Sequence, residues 1–105
     1  MLKEKKFGFV GSGNMAEAMM RGLLEPSGVV VPENIFAADI SEDRLHYLHD
    51  LHGIHTLTDN EEVVKNADIV ILAVKPQVIQ TVFQDISEYV DEHKLMISIA
   101  AGIKI

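Results

Sequence analysis

Cysteine is absent from all 105 residues. That excludes disulfides, thiolate nucleophiles and zinc sites built on sulfur, and it fits a reducing compartment. Basic side chains are scarce: nine lysines and arginines stand against sixteen acids, for a formal net charge of −7. A chain of that sign does not attract nucleic acid or acidic lipid over long range. Any polyanionic ligand has to be held by local main-chain N–H groups, against the overall field. Long apolar runs are lacking too. Met1-Leu2-Lys3-Glu4-Lys5-Lys6 leads straight into Phe7-Gly8-Phe9-Val10, and no stretch has the length of a signal peptide or a membrane span. The expectation is a cytoplasmic chain with neither nucleic acid nor membrane among its partners. Repeats, low-complexity tracts and linkers are also missing, so residues 1–105 read as one domain.

What the chain does contain is alternation. Lys6 to Val10 reads as a first strand, closed by Gly11-Ser12-Gly13. From Asn14 to about Leu24, Met15, Ala18, Met19, Gly22 and Leu23 recur at helical spacing, with Met15, Met19 and Met20 expected in the core. Pro26-Ser27-Gly28 stops this helix. Ile35 to Ala38 forms a short second strand ending at Asp39. Ser41 is an N-cap with Glu42 and Asp43 in the first turn; its helix carries Leu45, Leu48 and Leu51 inward and ends at Gly53. Ile54 to Leu57 is a third strand, and Thr58-Asp59-Asn60 caps a short helix through about Lys65.

Ile69-Val70-Ile71-Leu72-Ala73-Val74 is apolar at every position, the pattern of a strand covered on both faces. Lys75-Pro76 breaks it and opens a helix with Val78, Ile79, Val82, Phe83, Ile86 and Val90 on its inward face. Leu95 to Ile99 is a fifth strand, followed by the loop Ala100-Ala101-Gly102. The order βαβαβαβαβ, with right-handed crossovers, implies an α/β fold: an open, doubly wound, mostly parallel sheet of order 3-2-1-4-5.

Gly11-Ser12-Gly13-Asn14-Met15-Ala16 is a G-x-G-x-x-A sequence, and its position gives it meaning. It ends a strand and opens a helix, the setting of the Rossmann dinucleotide fingerprint. Gly11 permits the tight turn, Gly13 lets a pyrophosphate approach the backbone, and Ala16 keeps helix and strand close. The N–H groups and positive dipole end at Asn14 and Met15 would then face the phosphates. In the expected strand order the crossovers leave strands one and four in opposite directions, so a crevice opens at their carboxyl ends. Gly11 to Met15, Ala73 to Pro76 and Ala100 to Gly102 all lie at that edge. Asp39 stands where such sites place the carboxylate that reads the adenosine ribose, accepting from its 2′-OH and repelling a 2′-phosphate. Its distance from Gly11 exceeds the usual ~20 residues because of the Pro26 to Asn34 insertion.

Four segments, in order along the chain, resemble pyrroline-5-carboxylate reductase: Phe9-Val10-Gly11-Ser12-Gly13-Asn14-Met15-Ala16-Glu17-Ala18, Thr58-Asp59-Asn60, Leu72-Ala73-Val74-Lys75-Pro76-Gln77 and Ser98-Ile99-Ala100-Ala101-Gly102. The combination is specific, whereas one segment alone is not. The resemblance implies an oxidoreductase of proline biosynthesis that reduces the cyclic imine 1-pyrroline-5-carboxylate to L-proline with NADPH or NADH. By position, it implies that Val10, Gly11, Ser12, Gly13, Asn14 and Met15 contact the pyrophosphate, and that Asp39 contacts the adenosine ribose. Asn60 would lie near the adenosine half. Ala73, Val74, Lys75 and Pro76, with Ala100 and Ala101, would flank the nicotinamide ribose and ring. In that family a helical second domain binds the small-molecule substrate and makes the homo-oligomer. This chain corresponds to the cofactor-binding domain alone, so it is expected to bind cofactor without catalysis. Ala38-Asp39-Ile40 departs from the small polar or basic residues that many NADPH-preferring members carry there. Arg44, one helical turn on, is positioned to offset the carboxylate in part.

No residue here is expected to act as general acid or base, since the chemistry belongs to the cofactor. Lys75 reads as a structural residue of the Lys-Pro turn. His46, His49, His52 and His55 drift round a helix and into a strand, so they read as an exposed polar face and not as a metal site. A phosphoacceptor receiver domain shares the fold class, but it needs acids after its first strand to hold Mg²⁺, where this chain has Gly11-Ser12-Gly13. A stand-alone nucleotide-binding module and another β-hydroxyacid-dehydrogenase-like reductase remain as alternatives.

Overall fold

The computed structural model describes residues 5–24, 30–90 and 94–98. Its elements run β1 (Phe7–Val10), α1 (Asn14–Leu24), β2 (Ile35–Ala38), α2 (Glu42–His52), β3 (His55–Leu57), α3 (Asn60–Asn66), β4 (Ile69–Leu72), α4 (Pro76–Ile86) and β5 (Leu95–Ser98), with short 3₁₀ turns at Pro32–Asn34 and Ser87–Tyr89. All strand pairs are parallel and the sheet order is β3-β2-β1-β4-β5. This is the expected doubly wound α/β sheet. The Pro26-Ser27-Gly28 stop, Ile99 and the Ala100-Ala101-Gly102 loop lie outside the described residues.

β1 occupies the centre because every one of its residues can be buried. Phe7 pairs with Ile35 on one side and Ile69 on the other, and Val10 pairs with Ala38 and Leu72. Successive side chains point to opposite faces. Phe7 and Phe9 therefore join Met20 of α1 and Leu48 of α2 in one core, while Val10 joins Val63, Val64 and Ile86 of α3 and α4 in the other. β4 is likewise covered on both faces, with Val70, Ile71 and Leu72 buried. α2 is stopped as expected: Ser41 Oγ accepts the Arg44 N–H, and the Gly53 N–H reaches the His49 carbonyl.

Several face assignments come out differently. The inward stripe of α1 is Ala16 and Met20, flanked by Met19, Leu23 and Leu24, while Met15 is half exposed. Ala16, Met19, Met20, Leu23 and Leu24 share one face at helical spacing, and Met15 falls beyond its edge. On α2, Leu45 and Leu48 are buried but Leu51 is exposed, because Leu45, Leu48 and His52 share the inward face at helical spacing and Leu51 is rotated off it. On α4, Ile86 is buried and Val82 packs against the core, whereas Val78 and Phe83 are exposed. Val78 instead faces an open cleft. β4 ends at Leu72, so Ala73 and Val74 belong to the turn that follows. On β5, Met96 packs against the α3–α4 core while Leu95 and Ile97, on the other face, are exposed.

Candidate functional site

At the carboxyl end of β1 the chain turns sharply. Gly11 takes φ +86°, a left-handed conformation that L side chains resist. Its N–H donates to the Ala38 carbonyl at 2.9 Å, and the Ala73 N–H donates to the Val10 carbonyl at 2.8 Å. The turn is thus held between the ends of β2 and β4. A β-carbon on Gly11 would stand 2.5 Å from the Ala73 carbonyl oxygen, so the site admits glycine alone.

Ser12 is buried and faces inward. Its N–H donates to Asp39 Oδ2 at 2.8 Å and its hydroxyl to the same oxygen at 3.1 Å, while Asp39 Oδ1 accepts the Ser41 N–H at 2.9 Å. Asp39 is therefore a brace between the glycine loop and the start of α2, not a freely solvated loop acid. A carboxylate accepts at about four lone-pair positions, so these bonds leave capacity for a ribose hydroxyl. Ser12, in turn, has no N–H to offer a ligand.

Gly13 is the opposite of Gly11: a β-carbon there meets nothing within 4 Å among the described residues. The first hydrogen bond of α1 runs from the Glu17 N–H to the Gly13 carbonyl at 3.0 Å. The N–H groups of Asn14, Met15 and Ala16 precede helical pairing and carry the positive end of the helix dipole. Open space above a residue without a side chain, beside unpaired amides, is the cradle a diphosphate requires. A dinucleotide fits the donor set that this loop presents.

Over the loop lies a cleft of about 470 Å³ at the switch point between β1 and β4. Of the expected site residues it is lined by Val10, Gly11, Gly13, Asp39, Asn60, Ala73, Val74 and Lys75. Ser12 is withdrawn from it, and Asn14 lines a separate depression on the far side of α1. Met15 is exposed at the first turn of α1, Pro76 opens α4 immediately after Lys75, and Ala100 and Ala101 lie outside the described residues. The cleft adds Ile40, Val78 and Val82, which sequence reading did not assign. Ile40 is fully exposed. An isoleucine directly after the strand-end acid was the available signal. Lys75 sits at the N-cap position of α4, exposed, with its carbonyl accepting the Val78 N–H at 3.0 Å and no capping bond from its side chain.

Behind the loop, on the α1–α2 side, is a polar cluster that no local motif announced. Glu17 is buried; its carboxylate accepts from Arg44 at 2.8 Å, His52 Nε2 at 2.8 Å, Tyr47 at 3.1 Å and Arg21 at 3.3 Å. Burial alone would raise its pKa. The bonds from His52, Tyr47 and Arg44, with the Arg44 charge, outweigh that and lower the carboxyl from its usual 4.5 to about 2. Two expectations are corrected here. Arg44 does not offset Asp39, because its guanidinium is committed to Glu17 and to the Ser12 carbonyl. His52 does not belong to an exposed polar face: its side chain is 11% exposed and is drawn inward by the carboxylate. Among the described residues no group of three or more His, Cys, Asp or Glu could hold a metal ion, and no helix is long and apolar enough to cross a membrane.

The depressed Glu17 carboxyl has a pH consequence. The folded chain ionises this group near 2 and the unfolded chain near 4.5, so its contribution to stability is complete above pH 4.5 and is lost as pH falls from there towards 2. Glu17→Gln is expected to reduce the drop in urea midpoint between pH 7 and pH 3 relative to the unmodified chain. An unchanged drop would show that other carboxyls carry the acid sensitivity.

Comparison with known proteins gives the following. The family model described as NADP oxidoreductase, coenzyme F420-dependent, matches residues 6–102. A pyrroline-5-carboxylate reductase of Methanosarcina acetivorans is 43% identical over 102 residues, which are 97% of this chain and 37% of that protein. The structure of a pyrroline-5-carboxylate reductase from Coxiella burnetii superposes with a TM-score of 0.85 at 36% identity, over 95% of this chain and 37% of that one. The structure of a Plasmodium falciparum pyrroline carboxylate reductase with NADP bound gives a TM-score of 0.80 at 30% identity, over 100% of this chain and 37% of that one. The chain thus spans just over a third of the length of these relatives.

Proposed function

We propose that this chain, which belongs to the NADP oxidoreductase, coenzyme F420-dependent family, is the cofactor-holding unit of a pyrroline-5-carboxylate reductase. It would hold NADPH or NADH for reduction of 1-pyrroline-5-carboxylate to L-proline in the cytoplasm. One observation carries this reading: the open space over Gly13 beside the unpaired first-turn amides of α1, at the mouth of the cleft between β1 and β4.

The reduced nicotinamide supplies the hydride. The chain's own residues bind and orient. The amides from Gly13 to Met15 hold the diphosphate, Asp39 receives the adenosine ribose, and Ile40 offers an apolar surface on which the adenine can lie. Asn60 borders that half. Ala73, Val74, Lys75 and Pro76 border the nicotinamide half, together with Ala100 and Ala101. A second, helical unit is assigned the substrate and the homo-oligomer contact, and this unit alone is expected to bind cofactor without turnover.

The test is calorimetric titration of the chain with NADPH, NADH and ADP-ribose, repeated on Asp39→Ser. Heat with at least one of them is expected, and none with any would sink the proposal. Asp39→Ser removes the carboxylate that repels a 2′-phosphate, so the NADPH/NADH affinity ratio should rise by about tenfold. Because Asp39 also braces Ser12, both affinities should fall in absolute terms. A ratio that stays constant would mean that Asp39 braces the loop without reading the ribose.

A further inference from the structure

Ser12 is gripped at both of its main-chain polar atoms. Its N–H goes to Asp39 at 2.8 Å, and its carbonyl accepts the Arg44 Nε–H at 2.7 Å. Arg44 is not a cleft residue. Its other edge donates to Glu17 Oε1 at 2.8 Å, and it lines the separate depression with Asn14 and Tyr47. The Arg44 side chain is 22% exposed and that of Glu17 8%, so the pair is largely shielded from competing water and salt.

The Ser12 carbonyl and the Gly13 N–H belong to one planar trans peptide, in which the two groups point opposite ways. Drawing the carbonyl towards Arg44 turns the Gly13 N–H away from Arg44. We propose that Arg44, held by Glu17, is a positioning residue that fixes the Ser12–Gly13 peptide and aims the Gly13 N–H at the cofactor diphosphate. This rests on the cofactor reading above and adds a residue that never touches the ligand. Gly13 needs such a restraint. The absence of a side chain lets the anion approach, but it also leaves the peptide freer to rotate than any other in the loop. An arginine supplies the restraint because its planar fork reaches two acceptors at once, one with Nε and one with the terminal nitrogen. In a chain of net charge −7, it does so while its own charge is spent on Glu17 and not on the ligand.

The experiment compares the chain with Arg44→Lys and Glu17→Gln, using ADP-ribose and adenosine as probes in calorimetry and the ¹H–¹⁵N resonance of Gly13 in the free proteins. Lysine keeps a charge for Glu17 but cannot also hold Ser12. Arg44→Lys is expected to raise the Kd for ADP-ribose about tenfold, the loss of one well-aimed N–H to an anion. It should displace or broaden the Gly13 resonance and leave the affinity for adenosine, which lacks a diphosphate, unchanged. Glu17→Gln, which loosens Arg44 without removing it, should give a smaller rise of about threefold. An ADP-ribose Kd within twofold of the unmodified chain in Arg44→Lys overturns the proposal. So does an equal loss for adenosine, which would signify general loosening. If the unmodified chain binds no dinucleotide, the cofactor reading fails by itself. The Gly13 resonance then decides the clamp alone: displaced in Arg44→Lys, the peptide is held by Arg44; unmoved, it is not.

Discussion

Gly13→Val is expected to remove measurable binding of NADPH, NADH and ADP-ribose while the chain stays folded. Both halves of that result come from one observation, that a β-carbon at Gly13 meets nothing within 4 Å among the described residues. The folded protein therefore has room for the side chain, and Gly13 has no positive φ to forbid it. A change in stability of less than about 1 kcal/mol is expected, as for exposed substitutions away from strained sites. The same room is where a diphosphate has to come to reach the first-turn amides of α1. An isopropyl group there holds the phosphate beyond hydrogen-bonding distance. Each bond to a charged group contributes about 1.5–3 kcal/mol, so losing two of them lowers affinity on the order of 10²-fold or more. Calorimetric titration checks the binding and a thermal melt checks the fold. Retained affinity in a folded variant would mean that the cradle lies elsewhere.

Gly11→Ala, only two residues away, is expected to do the reverse and damage the fold itself. At φ +86° an alanine incurs roughly 1–2 kcal/mol of backbone strain. Its methyl would also stand 2.5 Å from the Ala73 carbonyl oxygen and 2.8 Å from Val74 Cγ1. The nearest of these atoms is backbone, part of the turn whose Ala73 N–H bonds Val10, so it cannot yield without pulling β4 away from β1. Overpacking of this kind adds about 1–3 kcal/mol. A total near 3 kcal/mol is expected, read as a fall in melting temperature of roughly 10–20 °C for a chain of this length. A melt within a few degrees of the unmodified chain would show that the turn is not wedged as described. Together the two glycines separate folding from binding within a single motif.

The spacing of small and apolar residues was enough to place the site's frame. An unbroken apolar β4, glycines at the end of β1, and Asp39 at the end of β2 determined a doubly wound sheet and the edge of it at which the cleft opens. These are local patterns with periods of two or 3.6 residues, and they appear in a linear string because neighbours in sequence create them. That Gly11 makes the tight turn also followed from order along the chain.

Face assignments at helix ends did not follow so well. Met15, Leu51, Val78 and Phe83 have the right spacing to be buried, and all are exposed. Which residues of a helix face the sheet depends on how the helix is rotated against neighbouring elements, and this is not written in the helix. Ile40, Val78 and Val82 joined the cleft because the segment after β2 and one face of α4 both border it.

The sequence by itself determined the alternation of strands and helices, the glycine loop and the acid at the end of β2, since each depends on residue type at short spacing. Only the tertiary structure decided what Glu17, Arg44, His52 and Asp39 do. Glu17 lies 27 residues from Arg44 and 35 from His52, and Ser12 lies 27 from Asp39. Nothing local joins them. A charged group is buried only where distant partners converge on it, and that convergence exists once α1 and α2 have packed on the same face of the sheet.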